Sequence, residues 1–171
     1  MLGRTIDKEL KMIRAANSKD GPALAAIYNW YIANSTCTFE DEPLSDEGML
    51  ARIALADADQ PWVVLEEDEV VLGYAYASVW KERAAYDRSR EVTIYLHQEA
   101  TGNGRGRQLY QHLIDELRKK PIQCLIATIA LPNAGSIALH EKLEFTKVGQ
   151  FSEVGYKFGK FVDVGYWQLI L

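Results

Sequence analysis

The sequence predicts an α/β domain built on one mixed sheet, with elements in the order β-α-α-β-β-β-α-β-α-β-β. Three observations carry this. Three consecutive runs, "PWVVLEE", "VVLGYAYASVW" and "REVTIYLH", are rich in β-branched and aromatic residues. A later run, "IQCLIATIA", is almost wholly apolar, the pattern of a strand buried on both faces. Between and after them lie segments of helical period, so strands and helices alternate without a regular βαβ repeat.

Taken in order, "MIRAA" (12–16) is a short first strand. "NSKDGPALAAIYNWYIANS" opens on polar caps and carries Leu24, Ile27, Tyr28 and Tyr31 at helical spacing. "STCTFEDEPLS" is a loop, and "SDEGMLARIALADA" is a second helix capped by Ser45 or Asp46. Glu67, Asp68 and Glu69 mark the turn between the first two of the three central strands. "NGRGRQLYQHLIDELRKK" is a helix with Leu109, Leu113, Ile114 and Leu117 on one face. After the apolar strand, "NAGSIALHEKLEF" is a last helix, and "FTKVGQFSEVGY" with "FVDVGYWQLIL" forms a closing antiparallel pair.

Composition narrows the function. At 171 residues, 48% of them hydrophobic, the chain suits one domain with a sizeable core. A net charge of −5 argues against charge-driven binding to nucleic acid or an anionic membrane. No apolar run approaches the ~20 residues of a spanning helix. The start lacks a signal peptide's apolar stretch, so a cytoplasmic protein is expected. Cys37 and Cys124 stand far apart, and His97, His112 and His140 show no zinc-ligand spacing, so no disulfide framework and no metal are expected.

The most informative stretch is Thr101-Gly102-Asn103-Gly104-Arg105-Gly106-Arg107, which runs straight into a helix. Alternate glycines open the backbone amides where a helix begins, a device that receives phosphate groups. A dinucleotide fingerprint would need its third glycine where Arg107 stands, and no Gly-Lys-Ser/Thr follows for a P-loop. The turn alone also fits a ligand-free helix start.

With its neighbours, the turn resembles the core of the GNAT acetyltransferase superfamily. That family carries a Q/R-x-x-G-x-G/A turn for the pyrophosphate of acetyl-CoA, then a helix with an early Asn and an L-Y-E-K-L-G-F-like end. Gly104, Gly106 and Asn133 match, as does "LHEKLEF" (139–145), while Thr101, His140 and Glu144 replace the family's Q/R, Tyr and Gly. Further stretches, "IYNWYIANSTCTFEDEP", "VWKERAAYDRSREVTIYLH" and "YKFGKFVDVGYWQLIL", resemble the phosphinothricin N-acetyltransferase branch, which also has that His. The likeness spans residues 12–171 and leaves 1–11 as an N-terminal extension.

The resemblance implies a GNAT fold, acetyl-CoA as co-substrate, and direct acetyl transfer to the α-amine of a small amino acid such as phosphinothricin, methionine sulfoximine or methionine sulfone. It implies that the main chain of Ile94, Tyr95 and Leu96 pairs with pantetheine amides. Thr101 to Arg107 would bind the pyrophosphate and Asn133 the pantetheine arm. Strand alternation puts Glu91, Thr93 and Tyr95 on one face, and Glu91 is then the candidate base that frees the amine. A strand-end Glu paired at the surface is the alternative. His140 stands where the family places a proton donor to the thiolate; a packed core histidine is the alternative. Arg83 and Lys81 are candidate partners for a substrate carboxylate, with Phe39, Tyr86 and Thr93 around it. Trp80, Tyr166 and Trp167 are expected in the core or a dimer interface, since the branch suggests a homodimer. Acetylation of another amine, such as a peptide N-terminus or polyamine, and a CoA-binding regulator without catalysis are the other readings.

Overall fold

The computed structural model describes residues 11–171, so the extension expected over 1–11 lies outside the described residues except for Lys11, which already belongs to the first strand. Seven strands form one sheet: β1 (Lys11–Ala15), β2 (Trp62–Glu67), β3 (Val70–Val79), β4 (Ser89–Leu96), β5 (Cys124–Leu131), β6 (Thr146–Lys157) and β7 (Lys160–Ile170). Four helices accompany it: α1 (Gly21–Asn34), α2 (Asp46–Ile53), α3 (Arg105–Arg118) and α4 (Ala134–Lys142). The chain order is the expected one. The sheet order is β1-β2-β3-β4-β5-β7-β6, and every neighbouring pair is antiparallel except β4–β5.

Each face has its own core. On one, Leu109, Leu113 and Leu117 of α3 pack on Val63, Leu65, Ala75, Ala77 and Val92. On the other, Leu24, Ile27 and Tyr28 of α1 and Met49 of α2 cover Val64, Tyr74 and Tyr95. The helical spacing read from Leu24 to Tyr31 therefore marks the covered stripe of α1, with Tyr31 half-buried at its margin.

Two expectations need correction. Helix α2 stops at Ile53, short of the run to Ala58, because turns follow and Leu55 has nothing to pack against. The Asp57 side chain then takes up the amides of Asp59 and Gln60 at 2.8 Å each. Strand β5 is buried on one face only: Leu125, Ala127 and Ile129 are buried, but Thr128 is exposed and Ile126 and Ala130 are half-buried. The reason is that the α1–α2 core draws on β2, β3 and β4 and includes no residue of β5. That uncovered strip borders the site.

Trp167 is a core residue. Trp80 and Tyr166 are half-buried and meet edge to face at 6.1 Å.

Candidate active site

Strands β4 and β5 pair over three rungs only, ending at Glu91 opposite Ile126. Beyond that rung they part, while β4 stays paired to β3 as far as Leu96 opposite Gly73. The gap is a cleft of about 690 Å³, lined on one side by Val92 to Leu96 and on the other by Thr128, Ile129 and Ala130. Splayed strands leave backbone donors and acceptors along β4 without a sheet partner on that side, and a ligand with amides can pair there.

The glycine turn closes one end. Gly102 and Gly104 adopt φ of +88° and +74°, the left-handed region, so their need for glycine is conformational. Nothing lies within 4 Å of a Cβ at either, which leaves the space above them open. A Cβ at Gly106 would come within 3.1 Å of Leu96 Cδ1, so Gly106 is what lets α3 sit close to β4. No side chain caps α3, and its first intrahelical bond is Gln108 N–H to the Gly104 carbonyl at 3.1 Å. The amides of the first turn therefore face the cleft end without a capping side chain, at the positive end of the helix dipole. This cradle fits a pyrophosphate.

Of the residues expected to hold the cofactor, Ile94, Tyr95, Leu96, Thr101, Gly102, Gly104, Gly106, Arg107 and Asn133 line the cleft. Asn103 and Arg105 do not. The Arg105 guanidinium is held by Glu67, with the closest contact 2.6 Å, and so ties α3 to the end of β2. Asn133 is the N-cap of α4: its Oδ1 accepts from Ser136 N–H at 3.0 Å, while Nδ2 reaches Cys37 Sγ at 3.4 Å. With Oδ1 committed, Nδ2 is the group it can offer a ligand.

His140 lies in the cleft wall, 4% exposed, and is fixed by the end of its helix. Phe145 N–H bonds the His140 carbonyl and Glu144 N–H the Glu141 carbonyl, both at 3.1 Å, with Glu144 left-handed at φ +68°. This is a Schellman ending, and the family's Gly position is where Glu144 takes the strained residue's place. The ring stands edge-on to Tyr110 and Phe145, at 5.1 and 5.2 Å. Its Nδ1 is 2.7 Å from the Ser136 carbonyl, which only accepts, so Nδ1 carries the proton. Burial pushes its pKa below 6.5, outweighing the Ser136 carbonyl, which favours the charged ring. In the neutral ring Nε2 is then an acceptor, and Tyr110 donates its hydroxyl proton to it at 3.1 Å.

Glu91 is half-buried at the last β4–β5 rung, below the cleft rather than in its lining. Among the described residues its carboxylate makes no hydrogen bond or ion pair. Its charge reaches Tyr110, whose pKa is raised first by complete burial and then by Glu91. Thr93 lines the cleft two residues on. Lys81, Arg83 and Tyr86 lie in the exposed loop joining β3 to β4, which begins just past Ser78, the cross-strand partner of Glu91. Lys81 Nζ sits 5.6 Å from the ring centres of both Trp80 and Tyr86. Phe39 is outside the cleft lining, against Gly155.

Sequence reasoning missed Tyr110, Cys37 and Lys142, all of which line the cleft. Tyr110 reads as one more apolar position of α3, and nothing marks Cys37 before the loop is folded over Asn133. Among the described residues no group of three or more His, Cys, Asp or Glu side chains could hold a metal, and no helix is long and apolar enough to cross a membrane.

The family model described as "Acetyltransferase (GNAT) family" matches residues 24–145. The chain belongs to the GNAT acetyltransferase family. This membership makes it an acetyl-CoA-dependent N-acetyltransferase. The enzyme is 38% identical to a phosphinothricin N-acetyltransferase of Streptomyces viridochromogenes, over 91% of this chain and 85% of the relative. It is 35% identical to an L-methionine sulfoximine/L-methionine sulfone acetyltransferase of Salmonella typhimurium, over 93% and 94%. A solved phosphinothricin acetyltransferase of Sinorhizobium meliloti, in complex with AcCoA, superposes with a TM-score of 0.90 at 33% identity, covering 94% of this chain and 88% of that one.

Proposed function

We propose that this acetyltransferase acts on the α-amine of a small amino acid with a polar tetrahedral end, of the phosphinothricin, methionine sulfoximine or methionine sulfone type, by direct transfer in a ternary complex. The observation that carries the reading is the cleft itself: an open β4 edge that starts above Glu91 and ends at the uncapped amides of α3. The named relatives supply the substrate class.

Acetyl-CoA, when bound, supplies the thioester carbonyl that the free amine attacks. The first-turn amides of α3, with Arg107, hold the pyrophosphate, and the β4 main chain at Ile94 to Leu96 aligns the pantetheine amides as an added strand would. Asn133 Nδ2 donates to that arm. Glu91 takes the amine's proton, directly or through water. A backbone N–H of the splayed β4 stabilises the developing oxyanion. His140 is the candidate proton donor to the departing thiolate, with the Tyr110 hydroxyl hydrogen-bonded to its Nε2 in the cleft wall. In the resting site Nε2 accepts rather than donates, so it gives a proton after relaying one from the amine. Arg83 grips the substrate carboxylate with Lys81 beside it, and Thr93, Tyr86 and Phe39 shape the pocket.

We also propose a cytoplasmic homodimer. Phe151, Tyr156 and Phe161 on the β6–β7 hairpin are each more than half exposed, an apolar surface that a second copy would cover.

The test is thiol release from acetyl-CoA over a panel of amines. Turnover with methionine sulfone, methionine sulfoximine or phosphinothricin far above that with peptides and polyamines is expected. Preference for a peptide N-terminus or a polyamine would overturn the reading.

A further inference from the structure

Strand β6 is nearly all solvent-exposed along its twelve residues; only Gly155 and Lys157 are buried. Both are buried under the same neighbour, the loop that joins α1 to α2. A Cβ on Gly155 would fall 2.3 Å from Cζ of Phe39, so the Phe39 ring lies directly on that backbone. Lys157, 6% exposed, donates from Nζ to the Thr38 carbonyl at 2.7 Å.

A buried ammonium is costly unless it is paired or hydrogen-bonded. Among the described residues Lys157 forms no ion pair. Burial lowers its pKa, and the nearby Asp41 and Glu40 oppose that shift. A methionine would fill the same space without that cost, so what the lysine adds is its bond to the loop main chain. The rest of the loop is built around that point. Buried Thr38 shares a 2.8 Å hydrogen bond between its Oγ1 and the Tyr28 hydroxyl, and Tyr95 OH donates to the Cys37 carbonyl at 3.4 Å. Cys37 then faces the cleft. One loop thus carries a cleft residue, Cys37, and the proposed substrate wall, Phe39, and one strand holds it from behind.

We infer that Lys157 is a positioning residue for the amine substrate: its ammonium pins the Thr38 carbonyl and so fixes Phe39 and the loop 37–41 as the wall of the substrate pocket. This rests on the reading above in taking Phe39 as part of that pocket.

The test compares Lys157→Met, which keeps length and removes the donors, with Lys157→Arg and Gly155→Ala. Melting curves first establish that each variant folds. Lys157→Met raises KM for the amino-acid substrate about tenfold and leaves KM for acetyl-CoA within about twofold, as loss of a charged hydrogen bond on the substrate side requires. Lys157→Arg restores most of that loss. Gly155→Ala displaces only the Phe39 ring, so it raises the amine KM without loosening the main chain. Peptide-resolved alkylation reads the loop directly: Cys37 labels several-fold faster in Lys157→Met, with Cys124 as internal reference. Equal changes in both KM values, or unchanged Cys37 labelling, would overturn the proposal. If the wild type acetylates no amino acid, the substrate reading fails, while Cys37 labelling still decides what Lys157 holds.

Discussion

Tyr110 OH and His140 Nε2 stand 3.1 Å apart, with Nδ1 of the same imidazole committed to the Ser136 carbonyl at 2.7 Å. The carbonyl bond fixes the tautomer of the neutral ring, and burial is what disfavours its protonation. The unfolded chain protonates this histidine at about its ordinary pKa of 6.5, whereas the folded protein resists it. As pH falls below about 6.5 the unfolded state gains the proton first, so stability drops and levels off only below the depressed folded pKa. Urea unfolding at pH 7.5 and pH 5 should show this loss in the wild type and a smaller one in His140→Phe. An identical loss in both would place the acid sensitivity elsewhere.

Glu91→Gln keeps the shape at the last β4–β5 rung and removes basicity. We expect kcat to fall about 10²–10⁴-fold with acetyl-CoA binding intact. Raising the pH should recover part of the rate, because the amine is then already free in solution, and an amine of lower pKa should recover more. pH–rate profiles with two amines check this; retention of most activity at neutral pH would remove Glu91 from the role.

For Arg83→Leu, the KM for amino-acid substrates should rise about ten- to a hundredfold, the equivalent of a charged hydrogen bond worth about 1.5–3 kcal/mol. Acetyl-CoA kinetics should be nearly unchanged, since Arg83 lies in the β3–β4 loop outside the cleft lining. Parallel defects in both substrates would make the residue structural.

A Cβ at Gly104 would meet no protein atom within 4 Å, yet the φ of +74° penalises any L-residue. Gly104→Val should therefore weaken acetyl-CoA binding by distorting the start of α3 and filling the space above it, at a stability cost of about 1–2 kcal/mol. Gly104→Asn, which tolerates the left-handed region, should lose less stability. Calorimetric titration of the folded variants distinguishes the two effects, and unchanged affinity in Gly104→Val would take the turn out of the cofactor site.

Glu144 occupies the left-handed position of the α4 ending that the family fills with Gly. Glu144→Gly should raise stability by about 0.5–1 kcal/mol, the relief of a non-glycine φ > 0 less the extra chain entropy of glycine. Chemical denaturation measures it directly.

Element order was legible in the sequence because period and turn chemistry are local. The apolar stripe of α3, the capping Ser45 and the alternate glycines each act within a few residues, and each folds as read. Resemblance pointed to Gly104, Gly106 and Asn133, and all three line the cleft. What the tertiary structure alone decided are pairings between residues distant in the chain. Arg105 turned from the cleft because Glu67, 38 residues away, holds it. The direction of the His140–Tyr110 bond follows from a carbonyl on one side and burial on the other. Strand β5 gained an open face because α1 and α2 stop at β4, and Lys157 met Thr38 across 119 residues. A sequence shows which side chains carry charge or protons; which partner each one meets is set by packing, and that partner fixes what the group can do.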